Sequence, residues 1–127
     1  RPAGRRRRGG RGPGRVHGTL HYGNPHESQS GTYDLLAGTT FAEDFHIFSM
    51  EWEPDELSWY VDGNLYHTAT DWFTSRPNAV YPAPFDRPFY LILNLAVGGN
   101  WPGRPDETSS FPQYLYIDYV RIYQEQP

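Results

Sequence analysis

Asp62-Gly63 stands between two short runs dense in aromatic and β-branched residues, Glu56 to Asp62 and Leu65 to Ala69. A two-residue hairpin loop needs positive φ at its centre, which Asp and Gly accept and β-branched residues resist. Just upstream, Pro54-Asp55 lies between Glu53 and Glu56, where proline presets φ for a second tight reversal. Two reversals this close together leave room only for an antiparallel meander.

The same rhythm continues from Val16 onward, with apolar runs alternating with Gly, Pro, Asn and Asp. It predicts strands at His17 to Tyr22, Gly31 to Leu36, Phe45 to Glu53, Glu56 to Asp62, Leu65 to Ala69, Phe89 to Val97 and Tyr114 to Tyr123. No segment keeps an apolar spacing of three and four, although Asp71 to Ser75 has room for one helical turn. Successive hairpins that are apolar on both faces must be covered twice, so the expected class is all-β and the architecture a β-sandwich. At 127 residues a single core is the default. The 4 Trp, 10 Tyr and 7 Phe exceed what a small sandwich core holds, so some are expected on an open or cleft-facing surface. Trp52 and Trp59 sit in apolar alternations (His46, Phe48, Met50, Trp52; Leu57, Trp59, Val61) and are assigned to the core. Trp72 and Trp101 fall in loops and are freer to bind.

Charge divides the chain. All eleven basic residues are Arg, and seven of them precede Val16; the rest holds four Arg against fifteen acids, a net charge of −11. Residues 1–15 contain only Arg, Gly, Pro and Ala, a composition too poor in apolar groups to fold, and are expected to be disordered. Residues 16–127 form the domain. Its acidity disfavours nucleic acid and anionic membranes as partners and suits a neutral ligand. The head Arg6-Arg7-Arg8-Gly9-Gly10-Arg11-Gly12 is similar to RNA-contacting Arg/Gly segments, which keeps RNA contact as a rival function. Without cysteine there is neither a disulfide nor a thiol nucleophile. The sequence leaves oligomeric state open.

The run Leu91-Ile92-Leu93-Asn94-Leu95-Ala96-Val97 sends its odd positions to one face and Asn94 to the other, then opens into Gly98-Gly99-Asn100-Trp101-Pro102-Gly103. An amide followed by an indole suits sugar hydroxyls and a pyranose face; a surface strand with a capped loop reads the same way.

In order along the chain come Val16-His17-Gly18-Thr19-Leu20-His21-Tyr22-Gly23, Phe45-His46-Ile47-Phe48-Ser49-Met50-Glu51-Trp52, Trp59-Tyr60-Val61-Asp62-Gly63, Asn94 to Gly103, and Tyr116-Ile117-Asp118-Tyr119-Val120-Arg121-Ile122-Tyr123. This series resembles the C-terminal half of glycoside hydrolase family 16, in its laminarinase-like branch of endo-β-1,3-glucanases. The resemblance implies a concanavalin-like jelly roll, here incomplete, whose concave sheet grips β-glucan, and by family habit an extracellular protein. It also implies hydrolysis with retention through a Glu-x-Asp-x-x-Glu motif or a shorter variant, and no such motif occurs in this sequence. Catalytic residues are therefore expected to be absent, through truncation or a shifted reading frame at the Arg-rich head, leaving an inactive domain or a non-catalytic glucan-binding module.

By the same resemblance His21 lies beside the catalytic carboxylates, Asn94 and Trp101 line the cleft, Asn100 and Tyr22 are weaker neighbours, and Asp118 matches a position that often ligates a structural calcium. No cofactor is required. A half-buried hydrogen-bonded imidazole at His21, or an edge-strand charge at Asp118, satisfies the same residues. Glu51 and Glu53 share a strand face at about 6.6 Å, close to the 5–5.5 Å or so that a retaining pair needs. They alternate with core residues and are read as solvent-facing, and Asp55 and Glu56 as turn residues. His17 and His21, four apart in a strand, are separated by about 13 Å, too far to join His26 on one zinc.

Overall fold

The computed structural model describes residues 12–125. It is all-β among those residues, with β1 (Arg15–Tyr22), β2 (Glu27–Asp34), β3 (Phe48–Trp52), β4 (Leu57–Val61) and β5 (Asn64–Ala69). β1 and β2 form an antiparallel two-stranded sheet, and β3-β4-β5 an antiparallel three-stranded one. The chain divides between Phe89 and Tyr90 into two compact units, and all five strands lie in the first. The predicted disordered head falls largely outside the described residues. Its last member, Arg15, opens β1.

Both turns form as the sequence dictates. Asp62 and Gly63 take φ of 49° and 78° between the paired residues Val61 and Asn64. Around Pro54-Asp55, the Glu53 amide donates to the Glu56 carbonyl at 2.9 Å. Strand limits shift where pairing overrides composition. Glu27 to Ser30, too polar to read as a strand, is recruited by its register with Leu20 to Tyr22 and Thr19. Leu35 and Leu36, predicted in the strand, leave it for a turn in which the Thr39 amide reaches the Leu36 carbonyl at 3.1 Å.

A pair of glycines sets the spacing between the two sheets. Gly18 and Gly31 are direct partners across β1 and β2, and Trp59 and His67 are direct partners across β4 and β5. A Cβ on Gly31 would stand 2.4 Å from the His67 Cβ, and one on Gly18 would stand 2.8 Å from the Trp59 Cγ. Backbone therefore lies against ring, and no larger residue fits. A register shift at Trp59/Tyr60 leaves Tyr66 as an extra residue in β5, and its hydroxyl is also within 2.7 Å of where a Gly18 Cβ would be.

Beside this contact Leu20, Leu57, Ala69 and Trp72 form the buried core, with Tyr22, Trp59 and Phe85 packed against it. Trp72, expected to be free in a loop, is only 4% exposed, and its indole N–H donates to the Pro82 carbonyl at 2.7 Å. Trp52, expected in the core, is instead 42% exposed; it closes the outer strand of its sheet and donates to the Phe85 carbonyl at 3.1 Å. The alternation correctly places Phe48, Met50 and Trp52 on one side, but β3 is an edge strand and all three stay exposed.

The strands predicted at Phe89 to Val97 and Tyr114 to Tyr123 do not form: neither segment takes part in a ladder among the described residues. Alternation encodes side-chain facing, whereas a strand also needs a neighbour to receive its backbone hydrogen bonds. The second unit is instead held by local turns. The Gly103 amide bonds the Gly99 carbonyl at 3.0 Å, and Asp106 caps a turn through the Thr108 amide and hydroxyl at 2.9 and 2.6 Å.

Candidate functional site

The outer face of the β1–β2 hairpin is polar along its whole length. Pairing sets Arg15 opposite Asp34, His17 opposite Thr32, Thr19 opposite Ser30 and His21 opposite Ser28. The even positions Gly18 and Leu20 are buried inward, so this odd-numbered set points away from the core. Arg15 grips Asp34 through two hydrogen bonds, and this contact holds the Asp34 carboxyl below the usual carboxylate range. The hydroxyls of Thr19 and Ser30 meet at 2.9 Å.

At the turn end of the face, His21 Nδ1 lies 2.9 Å from His26 Nε2, with the rings stacked 5.1 Å apart. His26 comes within reach because the turn between Tyr22 and Glu27 folds it back over β1. Sequence spacing alone did not bring these two together. Among the described residues no three His, Asp or Glu side chains gather closely enough to hold a metal. What the face offers is a grid of hydroxyl and imidazole groups about 5 Å apart across strands and about 6.6 Å apart along them, a spacing suited to the hydroxyls of a sugar.

Tyr22 lies on the opposite, inward side of β1 from His21. Its hydroxyl accepts from Gln29 Nε2 at 3.1 Å, and its ring meets Phe73 edge to face at 5.4 Å. It borders a shallow open groove of about 630 Å³ together with Glu27, Asp71, Phe73 and Tyr81.

Asn94, Asn100 and Trp101 all belong to the second unit. Trp101, 56% exposed, sits in a tight loop closed by the Gly99–Gly103 bridge, where Gly99 and Gly103 take φ of 134° and 94°. Asn94 is exposed, as are Leu93 and Leu95 on either side of it, so burial does not separate the two faces of this segment. Asp118 is exposed in a stretch where the Arg121 guanidinium covers the Tyr119 ring at 4.2 Å. The described residues do not by themselves furnish a calcium cage there.

Three acids of the first unit have structural partners. Glu51 accepts from the Tyr60 hydroxyl, and this bond raises the phenol above its ordinary value. Glu56 accepts from Ser58 at 3.1 Å. Asp62, read from sequence only as a turn residue, accepts from His46 Nδ1 at 2.7 Å and from the Ile47 amide at 2.8 Å. Those two bonds keep its carboxyl below the ordinary range, the histidine contact being the larger cause. His67 also escaped the sequence reading. Its Nε2 is buried without a hydrogen-bond partner, the ring stacks on Trp59 at 4.8 Å, and burial pushes its pKa down.

The chain is similar to known proteins. The chain is 48% identical over 124 residues to the glucan endo-1,3-beta-glucosidase A1 of Niallia circulans, covering 92% of this chain and 18% of that protein. It is 38% identical over 112 residues to a beta-1,3-glucan-binding protein of Penaeus monodon, covering 74% of this chain and 30% of that one. Among solved structures, the endo-beta-1,3-glucanase of Pyrococcus furiosus superposes with a TM-score of 0.61 at 42% identity, over 79% of this chain and 38% of that chain. The chain thus spans less than half the length of each of these relatives. Its fold is the jelly roll of these laminarinases. The sequence profile of the glycosyl hydrolases family 16 matches residues 9–121, nearly the whole sequence, and with the polar hairpin face and the fold it establishes that the chain belongs to that family.

Proposed function

We propose that the chain supplies part of the saccharide-holding wall of a β-1,3-glucan-active jelly roll and binds β-glucan without cleaving it. One observation carries this reading: the outer face of β1–β2 presents Thr19, His21, Ser28 and Ser30 as an exposed or half-exposed polar grid on a rigid hairpin. Hydroxyl and imidazole groups both donate and accept, as the hydroxyls of a neutral sugar require. Within the second unit, taken by itself, the Trp101 indole is an exposed apolar plate and Asn94 and Asn100 are exposed amides, groups of the kind a sugar contacts. The names of the Niallia and Penaeus relatives, one a 1,3-glucan hydrolase and the other a β-1,3-glucan-binding protein, support the same ligand class.

Cleavage with retention needs a nucleophile and an acid/base held about 5–5.5 Å apart. The sequence holds no Glu-x-Asp-x-x-Glu motif, and Glu51 is engaged by Tyr60. The exposed apolar residues of β3 and of Phe89 to Val97 are, in this reading, faces that further strands of the same jelly roll would cover.

Electrophoresis of the purified chain through a laminarin-containing gel tests the proposal. Retardation is expected, reduced by His21→Ala and by Trp101→Ala, with no reducing sugar released. Migration unaffected by laminarin would refute the binding, and sugar release abolished by Glu51→Gln would refute the absence of catalysis.

A further inference from the structure

We propose that the groove beside Tyr22, on the inward side of the hairpin from His21, is a second saccharide-binding surface that takes a β-linked glucosyl unit on the face of Phe73. The inference rests on the β-glucan reading above and adds a site to it. Phe73 is 47% exposed, and its ring edge is lodged against Gly23, where a Cβ would stand 2.8 Å from Cζ. Gly23 has a φ of 77°, so the chain reverses there with no side chain to push the ring aside. Tyr22 meets the same ring edge to face. With its edge fixed by these two contacts, Phe73 offers a flat apolar surface of the kind that stacks on the C–H face of a pyranose.

The polar partners are fixed as well. Gln29 Nε2 donates to the Tyr22 hydroxyl at 3.1 Å, to the Asp71 carbonyl at 2.6 Å and to Asp71 Oδ1 at 2.9 Å. The amide therefore ties the phenol and the carboxylate into one orientation, and both residues line the groove. Across it, Tyr81 is anchored by its hydroxyl to the carbonyls of Asp55 and Thr70, both at 2.7 Å. The floor is Trp72, buried and held by Pro82. About 630 Å³ is ample for a disaccharide.

The charge selects among ligands. Asp71 and Glu27 border the groove with no basic residue, which rejects phosphates and carboxylates. Two carboxylates without a third ligand do not make a metal site. A neutral sugar, donating hydroxyl protons to Asp71 and resting on Phe73, fits both halves of the lining.

Titration of the full chain with β-1,3-linked glucose oligosaccharides, followed by calorimetry, tests the site. Phe73→Ala is expected to weaken binding at least tenfold, with Phe73→Tyr retaining it. Asp71→Asn and Gly23→Ala, which dislodges the ring, should each weaken it severalfold; urea midpoints near that of the unmodified chain separate these effects from unfolding. His21→Ala should leave this component unchanged. Loss with His21→Ala but not with Phe73→Ala overturns the second site and leaves the outer-face reading standing. Binding insensitive to both variants, or no binding at all, overturns both, and tetramethylammonium binding in place of the sugar overturns the assignment of a saccharide.

Discussion

Replacing Gly31 with Ala tests the contact on which the stacking of the two sheets depends. The added methyl would stand 2.4 Å from the His67 Cβ, 2.7 Å from its Cγ and 3.0 Å from its Nδ1. Carbon atoms pack at about 3.5–4.0 Å, so relief requires a separation of about 1 Å. The obstructing Cβ is fixed to the backbone of β5 and cannot rotate away. The sheets must part instead, and a gap of that size forfeits a quarter to a half of the dispersion attraction along the rest of the contact. Overpacking of this kind costs about 1–3 kcal/mol, and the lower entropy of the unfolded alanine chain returns about 0.4–1 kcal/mol. A net loss of about 1–2 kcal/mol is expected in urea unfolding followed by tryptophan fluorescence. Gly12→Ala is the control, since that position has nothing within 4 Å and no positive φ. Adding His67→Gly should recover about 1 kcal/mol of the loss, as expected for residues in contact. Gly31→Ala matching the control, or purely additive effects with His67→Gly, would show that the glycine pair does not set the spacing.

Three other outcomes are expected. The folded-state pKa of His67 is depressed by burial, so the unfolded chain takes up that proton first; stability is full above the ordinary histidine value of 6.5, falls as pH drops below it, and levels off beneath the folded value. The slope is at most about 1.4 kcal/mol per pH unit, and urea midpoints between pH 7.5 and 5 should lose this dependence in His67→Phe. Asp62, depressed mainly by His46, works in a lower window, and Asp62→Asn should remove stability that the unmodified chain loses only as pH falls below 3.8. Gly63→Val should cost about 1–2 kcal/mol although an added Cβ meets nothing within 4 Å beyond its chain neighbours, because the φ of 78° crowds that Cβ against its own backbone; thermal unfolding by circular dichroism with Gly63→Asn largely spared would confirm that origin.

The sequence announced what local chemistry controls. Asp62-Gly63 and Pro54-Asp55 fixed two turns, and the alternation of Leu57, Trp59 and Val61 marked a central strand. It failed where a partner decides. Glu27 to Ser30 became strand only because β1 lies beside it, while Leu91 to Val97, far more strand-like in composition, has no ladder. Trp52 and Trp72 exchanged their expected roles for the same reason. Position in a run cannot reveal which strand ends at an edge, or that a loop tryptophan is capped by Pro82. For the candidate site, the placement of His21 on the exposed face of β1 was legible from its strand position. Its companion His26 was not, since only the folded turn places it 2.9 Å away.

The hairpin formed by β1 and β2 links stability to binding. Its inward face must be nearly flat, because glycines at 18 and 31 let it rest on Trp59 and His67. A strand pair seated this closely cannot rock, and its outward side chains inherit that rigidity: Thr19, Ser30, His21 and His26 are held to one another on a backbone that the core immobilises. Substitutions at these inward-facing glycines should therefore weaken glucan binding at the outer face without touching a single residue there. Gly31→Ala, assayed in the laminarin gel under conditions where it remains folded, should lose affinity in proportion to the displacement of the sheet. If it binds as the unmodified chain does, the outer face owes its geometry to the hairpin alone and the packing beneath it serves stability only.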